Sequence, residues 1–395
     1  SAGRFYYYKI KHLFGKGICM KVLILDTLYS NFLNKIYTEN TFLQEYEYEK
    51  QFRYLADLLF GTSDFYSSNL EKLNCESETL YINVNPLQLK WAQENNIKIN
   101  FLNKNILFKN YQNRIIQKII RKNLYKILEA QIRFCAPDVV IVMDPVLDND
   151  FLYSIKYLAR LWICQTASVL APLDRFKGYD LILSSYLGYV YNLAKKGFKT
   201  EYFKLAFENK ILDKLQLKNR NIECSFVGGM SGIRLQPRRD LLSGILKHNI
   251  KLDLYGYGID DFKENTKIRE FYKGPAWGKD MYNIFLSSKI VINNHSMMFL
   301  DKENIYANNM RLYEATGCGA LLITDYKENL KDIFEIDKEV LAYKNVDELV
   351  EKMKYYLNNE NVRKEIALAG QKRTLSEHTY FNRMKELRKI IGKYL

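Results

Sequence analysis

The sequence lacks three features that would have placed it in other classes of protein. No apolar run approaches the roughly 18 residues of a membrane-spanning helix, so we expect no transmembrane segment. Residues 5–17 have neither the apolar stretch nor the small-residue cleavage site of a signal peptide. None of the six cysteines forms a C-x-x-C pair, which argues against a zinc site or a disulfide framework. We therefore expect a cytoplasmic protein with reduced, mostly buried thiols.

Acidic residues are in deficit, since 59 Lys and Arg face 45 Asp and Glu and the net charge is +14. A basic surface fits an anionic partner, such as nucleic acid, acidic lipid head groups or a polyanionic acceptor. The basic residues are dispersed and no nucleic-acid-binding module is visible, so we expect no nucleic-acid partner. The charge is compatible with contact at the anionic inner face of a membrane. A bias of genome composition explains it equally well.

Short apolar runs alternate with helical patterns along the chain. The first set lies at 21–26, 79–84, 97–102, 138–144, 161–166 and 180–185, and the second at 222–229, 251–258, 289–294, 320–325 and 339–344. Such alternation predicts doubly wound α/β domains with parallel sheets. A chain of 395 residues with 48% hydrophobic residues is long enough for two of them. We predict two Rossmann-like domains facing a cleft, with ligands at the carboxyl ends of the strands.

The predicted organisation has four parts. They are an N-terminal extension at 1–19, a first domain at 20–207, a second domain at 208–376 and a C-terminal helix at 377–395. The first domain contains a helical insert at 27–60, which is unusually long for a connection between a strand and a helix. This insert either covers an acceptor at the mouth of the cleft or packs as an extra helix.

The stretch from Asn308 to Asp325 is the most informative. It predicts an amphipathic helix, a turn with Gly317 and Gly319 in left-handed conformations, and a buried strand. Glu314 lies within the helix, where a carboxylate could accept two hydrogen bonds from a ribose. The helix start at Asn308–Arg311 offers free amides and a positive dipole end for a diphosphate. Sugar nucleotides carry both groups, although a surface helix with a solvated glutamate explains the pattern equally well.

This stretch resembles the donor-binding segment of group 1 glycosyltransferases with the GT-B fold. It is most similar to the spore-maturation-protein-like branch, whose pattern is N-x-R-x-x-E-A-x-x-C-G. The matching residues are Asn309, Arg311, Glu314, Ala315, Cys318 and Gly319. Residues 61–70, 85–94 and 378–387 resemble other parts of the same branch, in the same order.

The resemblance implies a GT-B fold whose C-terminal helix packs back on the first domain. It also implies a nucleoside-diphosphate sugar as co-substrate, no further cofactor and no metal. The group has a second glutamate eight residues before the one at Glu314, and Tyr306 stands there instead. This departure leaves the contact with the sugar, and retention or inversion of its configuration, open.

Further residues at predicted strand ends could bind the donor. The glycines after the strand at 222–227 let a phosphate approach the backbone, and nearby arginines could grip its oxygens. Trp277 either stacks on a nucleobase or fills the surface, and His295 either binds the sugar or diphosphate or caps a loop. The expected donor-binding residues are Gly228, Gly229, Arg234, Arg238, Trp277, His295, Asn309, Met310, Arg311 and Glu314.

Two aspartates are candidates for the general base that an inverting transferase needs for the acceptor hydroxyl. Asp64 is the first, because the helix that Ser63 or Asp64 caps follows the first strand and should begin at the cleft. Asp26, which ends that strand, is the second. Capping alone also explains Asp64. The pair Asp260–Asp261 resembles a metal-binding pair only superficially, and we expect no metal.

The sequence therefore predicts a hexosyl- or deoxyhexosyl-transferase. Its acceptor would be a hydroxyl of a glycan or lipid-linked molecule in bacterial surface polysaccharide or glycoconjugate synthesis. Only four histidines are present, which argues against a sugar-nucleotide epimerase with several acids and bases. A catalytically silent GT-B module that binds glycans or nucleotides within a larger assembly is the alternative.

Overall fold

A computed structural model of the chain describes residues 20–99, 114–166, 171–216, 219–232, 235–262, 266–295, 305–307 and 309–395. The contacts divide the chain into two compact units. The first comprises Ser1–Gln165, Pro172–Leu181 and Lys393–Leu395, and the second comprises Thr166–Ala171 and Ile182–Gly392. The predicted domain boundaries and the cleft stay predictions.

The first sheet has six strands among the described residues, in the order β2-β1-β3-β4-β5-β6. They are β1 (Lys21–Asp26), β2 (Glu76–Tyr81), β3 (Val139–Met143), β4 (Leu161–Thr166), β5 (Leu181–Ser184) and β6 (Thr200–Tyr202). Strand β1 pairs in parallel with β2 and β3, and β3 pairs in parallel with β4. Every residue of β3 and β4 is buried, and accordingly β3 and the first four residues of β4 are apolar.

Helices separate these strands along the chain. They are α1 (Ser30–Glu39), α2 (Tyr48–Asp57), α3 (Phe65–Glu71), α4 (Asn85–Glu94), α5 (Arg114–Cys135), α6 (Asn149–Ile155) and α7 (Leu187–Lys195). The predicted insert consists of α1, a 3-10 turn at Thr41–Glu45 and α2. Its helices are joined by a hydrogen bond of 3.2 Å from the Tyr37 hydroxyl to Gln51 Oε1. The insert is therefore a packed helical pair.

The second sheet has five strands in the described part of the chain, in the order β11-β10-β9-β7-β8. They are β7 (Ile222–Val227), β8 (Leu252–Tyr255), β9 (Ser288–Asn293), β10 (Leu321–Asp325) and β11 (Leu341–Tyr343). All four neighbouring pairs are parallel, so the carboxyl ends of the strands share one edge of the sheet. We call this edge the carboxyl edge.

The remaining helices follow β6 in the chain. They are α8 (Lys210–Lys214), α9 (Gln236–Lys247), α10 (Thr266–Phe271), α11 (Lys279–Ser287), α12 (Arg311–Gly317), α13 (Val346–Asn358), α14 (Glu360–Glu377) and α15 (Tyr380–Tyr394). Apolar side chains of the strands and of α9, α13 and α14 form one buried core, which includes Phe226, Leu242, Ile290, Leu321 and Leu349. The two parallel sheets, with helices between their strands, confirm the predicted α/β fold class.

Some predicted element positions were wrong. Strand β2 begins at Glu76 rather than Thr79, because this edge strand tolerates the half-buried Glu76 and Glu78. Residues 97–99 form no strand, since the Ile97 amide donates to Ala92 O at 2.8 Å and closes α4, and residues 100–102 lie outside the described part. Strand β6 was missed because its three residues are only half-buried.

The predicted C-terminal helix begins later than expected. Glu377 ends α14, and the chain then passes along Phe207 before α15 starts at Tyr380. The Phe207 amide donates to His378 O, and the Tyr380 amide donates to Phe207 O, both at 2.9 Å. Burial lowers the pKa of His378 to about 4, so this histidine is a neutral part of the junction.

The two glycines at the end of α12, Gly317 and Gly319, have different roles. Gly319 has a φ of 71°, as predicted, whereas the prediction of a left-handed Gly317 was wrong because this residue is the last in α12. A Cβ at Gly317 would lie 2.4 Å from the Phe207 ring. Gly317 is therefore required by the close approach of an aromatic side chain.

The described cysteines are Cys75, Cys135, Cys164, Cys224 and Cys318, and all are buried thiols that form no disulfide. Burial raises the pKa of the Cys164, Cys224 and Cys318 thiols above the ordinary value. No helix in the described ranges combines the length and the apolar character needed to span a membrane.

Replacing Gly317 with alanine should destabilise the protein, because the new Cβ would overlap the Phe207 ring. Overpacking of this kind costs about 1–3 kcal/mol. Gly392→Ala is the matched control, since Gly392 is also helical and has nothing within 4 Å of an added Cβ. It should be neutral or stabilise by up to about 1 kcal/mol. Urea unfolding of both variants would measure the difference, and equal effects would contradict the packing argument.

Candidate active site

Loops from four neighbouring strands meet at the carboxyl edge of the second sheet. They are Gly228–Gly232 after β7, Gly256–Gly258 after β8, Asn294–His295 after β9 and Tyr326–Lys327 after β10. Open parallel sheets bind ligands at this edge, because loops here converge and can carry polar groups beyond the apolar core. Most of the predicted donor-binding residues lie at it or on the helices next to it.

Arg238, in the first turn of α9, joins two of these loops and is only 7% exposed. Its Nη1 donates to Gly229 O at 2.7 Å, its Nη2 donates to Asn294 O, and its Nε has no hydrogen-bond partner. Burial lowers the pKa of Arg238 to about 10, against the opposing charge of Asp325, so the side chain stays cationic at neutral pH. Among the described residues it forms no ion pair with a carboxylate.

His295 directly follows Asn294, whose carbonyl accepts from Arg238, and is 4% exposed. Its Nδ1 is 2.6 Å from Asp325 Oδ1, and its backbone amide donates to the same oxygen at 2.9 Å. Burial alone would raise the pKa of Asp325, but His295 and Lys327 outweigh it and hold that pKa below the ordinary range. The other ring nitrogen of His295, Nε2, is buried without a partner.

Residues 312–317 of α12 are all buried, so the prediction of an amphipathic helix was wrong, and the alternative of a surface helix with a solvated glutamate is excluded. Glu314 is 3% exposed and forms an ion pair with Arg311. The Tyr282 hydroxyl lies 3.4 Å from its second oxygen, and Arg311 Nε donates to Val227 O at 2.9 Å. The buried carboxylate thus has the polar partner that its burial requires, and it fixes Arg311 against the end of β7.

Polar groups at the start of α12 form hydrogen bonds within the protein. Asn309 Oδ1 accepts the Arg311 amide at 3.0 Å, and Asn309 Nδ2 donates to Asn293 Oδ1 at 2.8 Å. Met310 is half-buried at the same turn, and Asn308 lies outside the described residues. With one amide already bonded and only seven residues in α12, the predicted diphosphate contact at this helix start has little support.

The glycine loop after β7 packs against the loop after β8. The Gly228 amide donates to Tyr255 O at 3.0 Å, and the Met230 amide donates to Tyr257 O at 2.9 Å. A Cβ at Gly229 would lie 2.7 Å from the Tyr257 ring. These glycines permit close contact between loops, and the amides of Gly228 and Met230 are not free for a phosphate. Arg234, the other predicted phosphate ligand here, lies outside the described residues.

Two predicted aromatic positions lie near other loops of the second unit. Trp277 is half-buried just before α11, in a loop joined to β8 by the Lys273 amide, which donates to Leu254 O at 2.8 Å. Tyr306, in place of the family glutamate, packs edge-on against the Tyr186 ring with centroids 5.7 Å apart. The role of Trp277 toward a nucleobase stays a prediction.

The aspartate pair at Asp260–Asp261 has protein partners. Asp261 Oδ2 accepts the Gly232 amide at 2.6 Å and lies 3.4 Å from Arg239 Nη1, while Asp260 lies 3.6 Å from Arg269. These carboxylates therefore brace the loops after β7 and β8. Within the described ranges, no three His, Cys, Asp or Glu side chains cluster so as to hold a metal ion.

In the first unit, Asp26 ends β1 and is 7% exposed. Its carboxylate accepts the Thr27 amide at 2.7 Å and the Thr62 hydroxyl. Burial raises the pKa of Asp26 to about 6; these two hydrogen bonds oppose the rise and the charge of Asp144 adds to it. Asp144 directly follows β3, the strand next to β1. Asp26 is thus a buried acid that titrates near neutral pH.

Asp64 is half-buried immediately before α3, and its side chain makes no capping hydrogen bond to the helix. Ser63 Oγ donates to Ala56 O at 2.7 Å instead. The prediction that one of them caps α3 was therefore wrong. Asp144 and Asp325 received no role from the sequence, although each, like Asp26, closes an apolar strand, and that pattern could have drawn attention to them.

The chain is similar to a glycosyl transferase-like family and to several solved structures. Residues 237–389 match the family model described as glycosyl transferase-like. HepE from Anabaena, solved with UDP-glucose, is 11% identical with a TM-score of 0.57, over 95% of this chain and 100% of that chain. A glycosyltransferase from Rickettsia africae is 12% identical with a TM-score of 0.55, over 96% and 99%. No curated protein matches the chain.

Sucrose-phosphate synthase from Thermosynechococcus elongatus is 9% identical with a TM-score of 0.57, over 95% of this chain and 98% of that chain. The fold is GT-B. The match to the glycosyl transferase-like family covers only residues 237–389, which lie in the second unit. The spore-maturation-protein-like branch stays a prediction, and so do the individual donor-binding residues.

Replacing Asp26 with asparagine should make the protein more stable at pH 8 and leave its stability unchanged at pH 4. An aspartate in the unfolded chain titrates near pH 4, whereas the pKa of Asp26 in the folded protein is about 6. The folded state therefore binds more protons between these values, and its stability falls as the pH rises through 6. The gain at pH 8 should be on the order of 3 kcal/mol.

Urea unfolding at both pH values would measure this gain, with the wild type as reference. The amide oxygen of the introduced asparagine can still accept the Thr27 amide, so a loss of that bond would not mask the effect. A destabilised variant at pH 8 would contradict the raised pKa.

Proposed function

We propose that this protein transfers a sugar from a nucleoside-diphosphate sugar to a hydroxyl group. The acceptor would be a glycan or lipid-linked molecule in bacterial surface polysaccharide or glycoconjugate synthesis, and the sugar a hexose or deoxyhexose. The donor would bind at the carboxyl edge of the second sheet. UDP-glucose is the first donor to test, because HepE, which shares the fold, was crystallised with it.

The buried guanidinium of Arg238 is the observation that carries this proposal. A buried cation normally has an anionic partner, because removal from water is expensive. Arg238 instead donates to two backbone carbonyls and keeps one N–H without a partner. A diphosphate would supply both an anion in direct contact and the missing acceptor. Its approach is favoured by the position of Arg238 at the strand ends.

The same arginines would also promote the transfer reaction. When the glycosidic bond to the donor breaks, negative charge accumulates on the leaving diphosphate. Arg238 and Arg311 would stabilise that charge through positions fixed before the reaction, Arg238 by the loop carbonyls and Arg311 by Glu314. We therefore propose a reaction without a metal ion.

For an inverting reaction, Asp26 is the better general base of the two candidates. A base acts best when its pKa lies near the working pH, and the pKa of Asp26 is raised to about 6. Thr62 and the Thr27 amide hold its carboxylate in one orientation. Asp64 makes no side-chain hydrogen bond to the start of its helix.

A binding module without catalysis is the second candidate. It is favoured by Tyr306, whose ring packs against Tyr186 at the position of the missing family glutamate. Such a module would bind a sugar nucleotide without consuming it. Thermal stabilisation by UDP-, GDP-, dTDP- and CMP-sugars, followed by an assay for sugar release or transfer, would distinguish binding from catalysis.

Replacing Arg238 with methionine should weaken UDP binding about tenfold or more and leave uridine binding nearly unchanged, because only UDP carries the charge that Arg238 would pair. Arg220→Met is the matched control. Arg220 also donates to backbone carbonyls, of Phe285, Ser288 and Cys318, but it lies at the opposite edge of the same sheet. Calorimetry would measure both ligands, and equal losses of UDP and uridine affinity in Arg238→Met would contradict the assignment.

Asp26→Asn should reduce sugar transfer by about a hundredfold or more while preserving UDP affinity. Asp64→Asn should retain most of the transfer activity. Initial rates with saturating donor, together with calorimetry, would separate catalysis from binding. A fully active Asp26→Asn variant, or a product that retains the configuration of the donor, would exclude Asp26 as the base.

A further inference from the structure

Asp325 lies directly behind His295 at the carboxyl edge of the second sheet. One of its oxygens, Oδ1, faces both the backbone amide of His295, at 2.9 Å, and ring Nδ1, at 2.6 Å. Its other oxygen, Oδ2, is 3.1 Å from Lys327 Nζ. A single carboxylate thus fixes the backbone and the ring of His295 together.

The contact with Asp325 determines which ring nitrogen of His295 can bond to a ligand. Because a carboxylate accepts hydrogen bonds, Nδ1 carries a hydrogen, and Nε2 is left on the opposite side of the ring. Nε2 is buried and has no partner among the described residues. The neighbouring Arg238 also has an unpartnered nitrogen, and its Nη2 bonds the carbonyl of Asn294, the residue before His295. Two buried nitrogens without partners, on residues connected through the Asn294 carbonyl, point to a ligand with oxygen atoms.

The charges around the ring determine what this ligand can be. The surrounding groups are Asp325 and Lys327 after β10, Arg238 on α9, Arg311 on α12 and the Tyr343 hydroxyl on β11, which donates to Asn293 O. The single carboxylate in direct contact with the ring is offset by the ammonium of Lys327. Glu314 pairs with Arg311, so the charge of Arg238 leaves the region positive, which suits an anion.

We propose that Asp325 is a positioning residue that holds His295 as a protonated hydrogen-bond donor to the diphosphate of the sugar nucleotide. This inference rests on the proposed function. In the complex the ring lies between the Asp325 carboxylate and the diphosphate, and two anions favour a proton on each ring nitrogen. Nδ1–H donates to Asp325 and Nε2–H donates to a phosphate oxygen. The additional proton comes from solvent on binding and returns to solvent when the nucleotide leaves.

Proton uptake distinguishes this arrangement from a merely structural Asp–His pair. Calorimetry of UDP-glucose binding at pH 7.5–8, in two buffers with different ionisation enthalpies, measures the protons that accompany binding. UDP-glucose is a suitable probe because its diphosphate has no proton that titrates near neutral pH. The wild type should take up protons, whereas His295→Gln should take up none and bind about tenfold to a hundredfold more weakly.

Asp325→Asn is the variant that tests positioning. Its side-chain oxygen can still accept Nδ1–H, but the negative charge that favours the protonated ring is gone. We expect less proton uptake and about tenfold weaker UDP-glucose binding. Thermal unfolding and the 15N ring signals of the four histidines would verify the fold and the tautomer.

His248→Gln is the matched control, because His248 lies 4.0 Å from Asp347 in an exposed pair. It should bind UDP-glucose like the wild type and take up the same number of protons. If the wild type binds UDP-glucose without proton uptake, or folded Asp325→Asn binds it with unchanged affinity and uptake, the positioning role is wrong and the proposed function survives. If the wild type binds none of UDP-, GDP-, dTDP- and CMP-sugars, both are wrong.

Discussion

A buried guanidinium must keep its charge and satisfy its hydrogen bonds where it stands, and this constraint shapes the carboxyl edge of the second sheet. Arg238 meets it with the carbonyls of Gly229 and Asn294, which belong to loops after neighbouring strands. The two loops are thereby held at fixed positions relative to the sheet. Arg311 does the same at Val227 O and depends on Glu314 for its orientation. An anion arriving here would need little reorganisation of the protein, which is the condition for strong electrostatic stabilisation.

The first unit solves the burial of charge in another way. Asp26 has no cationic partner in direct contact among the described residues, but a carboxyl group can take up a proton, and its pKa is raised to about 6 accordingly. A buried arginine cannot become neutral in this way, because it keeps its proton at neutral pH. Each unit therefore contains a buried ionisable group, Asp26 in the first and Arg238 in the second, that has no counter-ion in direct contact among the described residues. One suits the transfer of a proton and the other suits the stabilisation of a permanent negative charge.

Local patterns in the sequence predicted the strands well where burial is complete. Strands β1 and β4 were predicted residue for residue because an apolar run of that length has few other places in a fold. The surroundings of Glu314 were not predictable in this way. Its burial depends on Tyr282, 32 residues away in sequence, and on the packing of α12, neither of which leaves a local pattern.

The site itself could be located from the sequence only in outline. The strand ends were predictable, and with them the neighbourhood of Gly228, Arg238 and His295. The bond between Arg238 and the Asn294 carbonyl spans 56 positions, and the contact between His295 and Asp325 spans 30. Such pairings follow from the order of strands in the sheet, which a single sequence does not specify.

The buried cysteines have a practical consequence for measuring motion in this molecule. An exposed thiolate attacks alkylating and spin-labelling reagents, and in Cys164, Cys224 and Cys318 burial suppresses the thiolate form. The described part of the chain therefore offers a nearly silent background for thiol chemistry. A cysteine introduced on the surface of each unit would carry a probe selectively, and the distance between two probes could be followed with and without nucleotide.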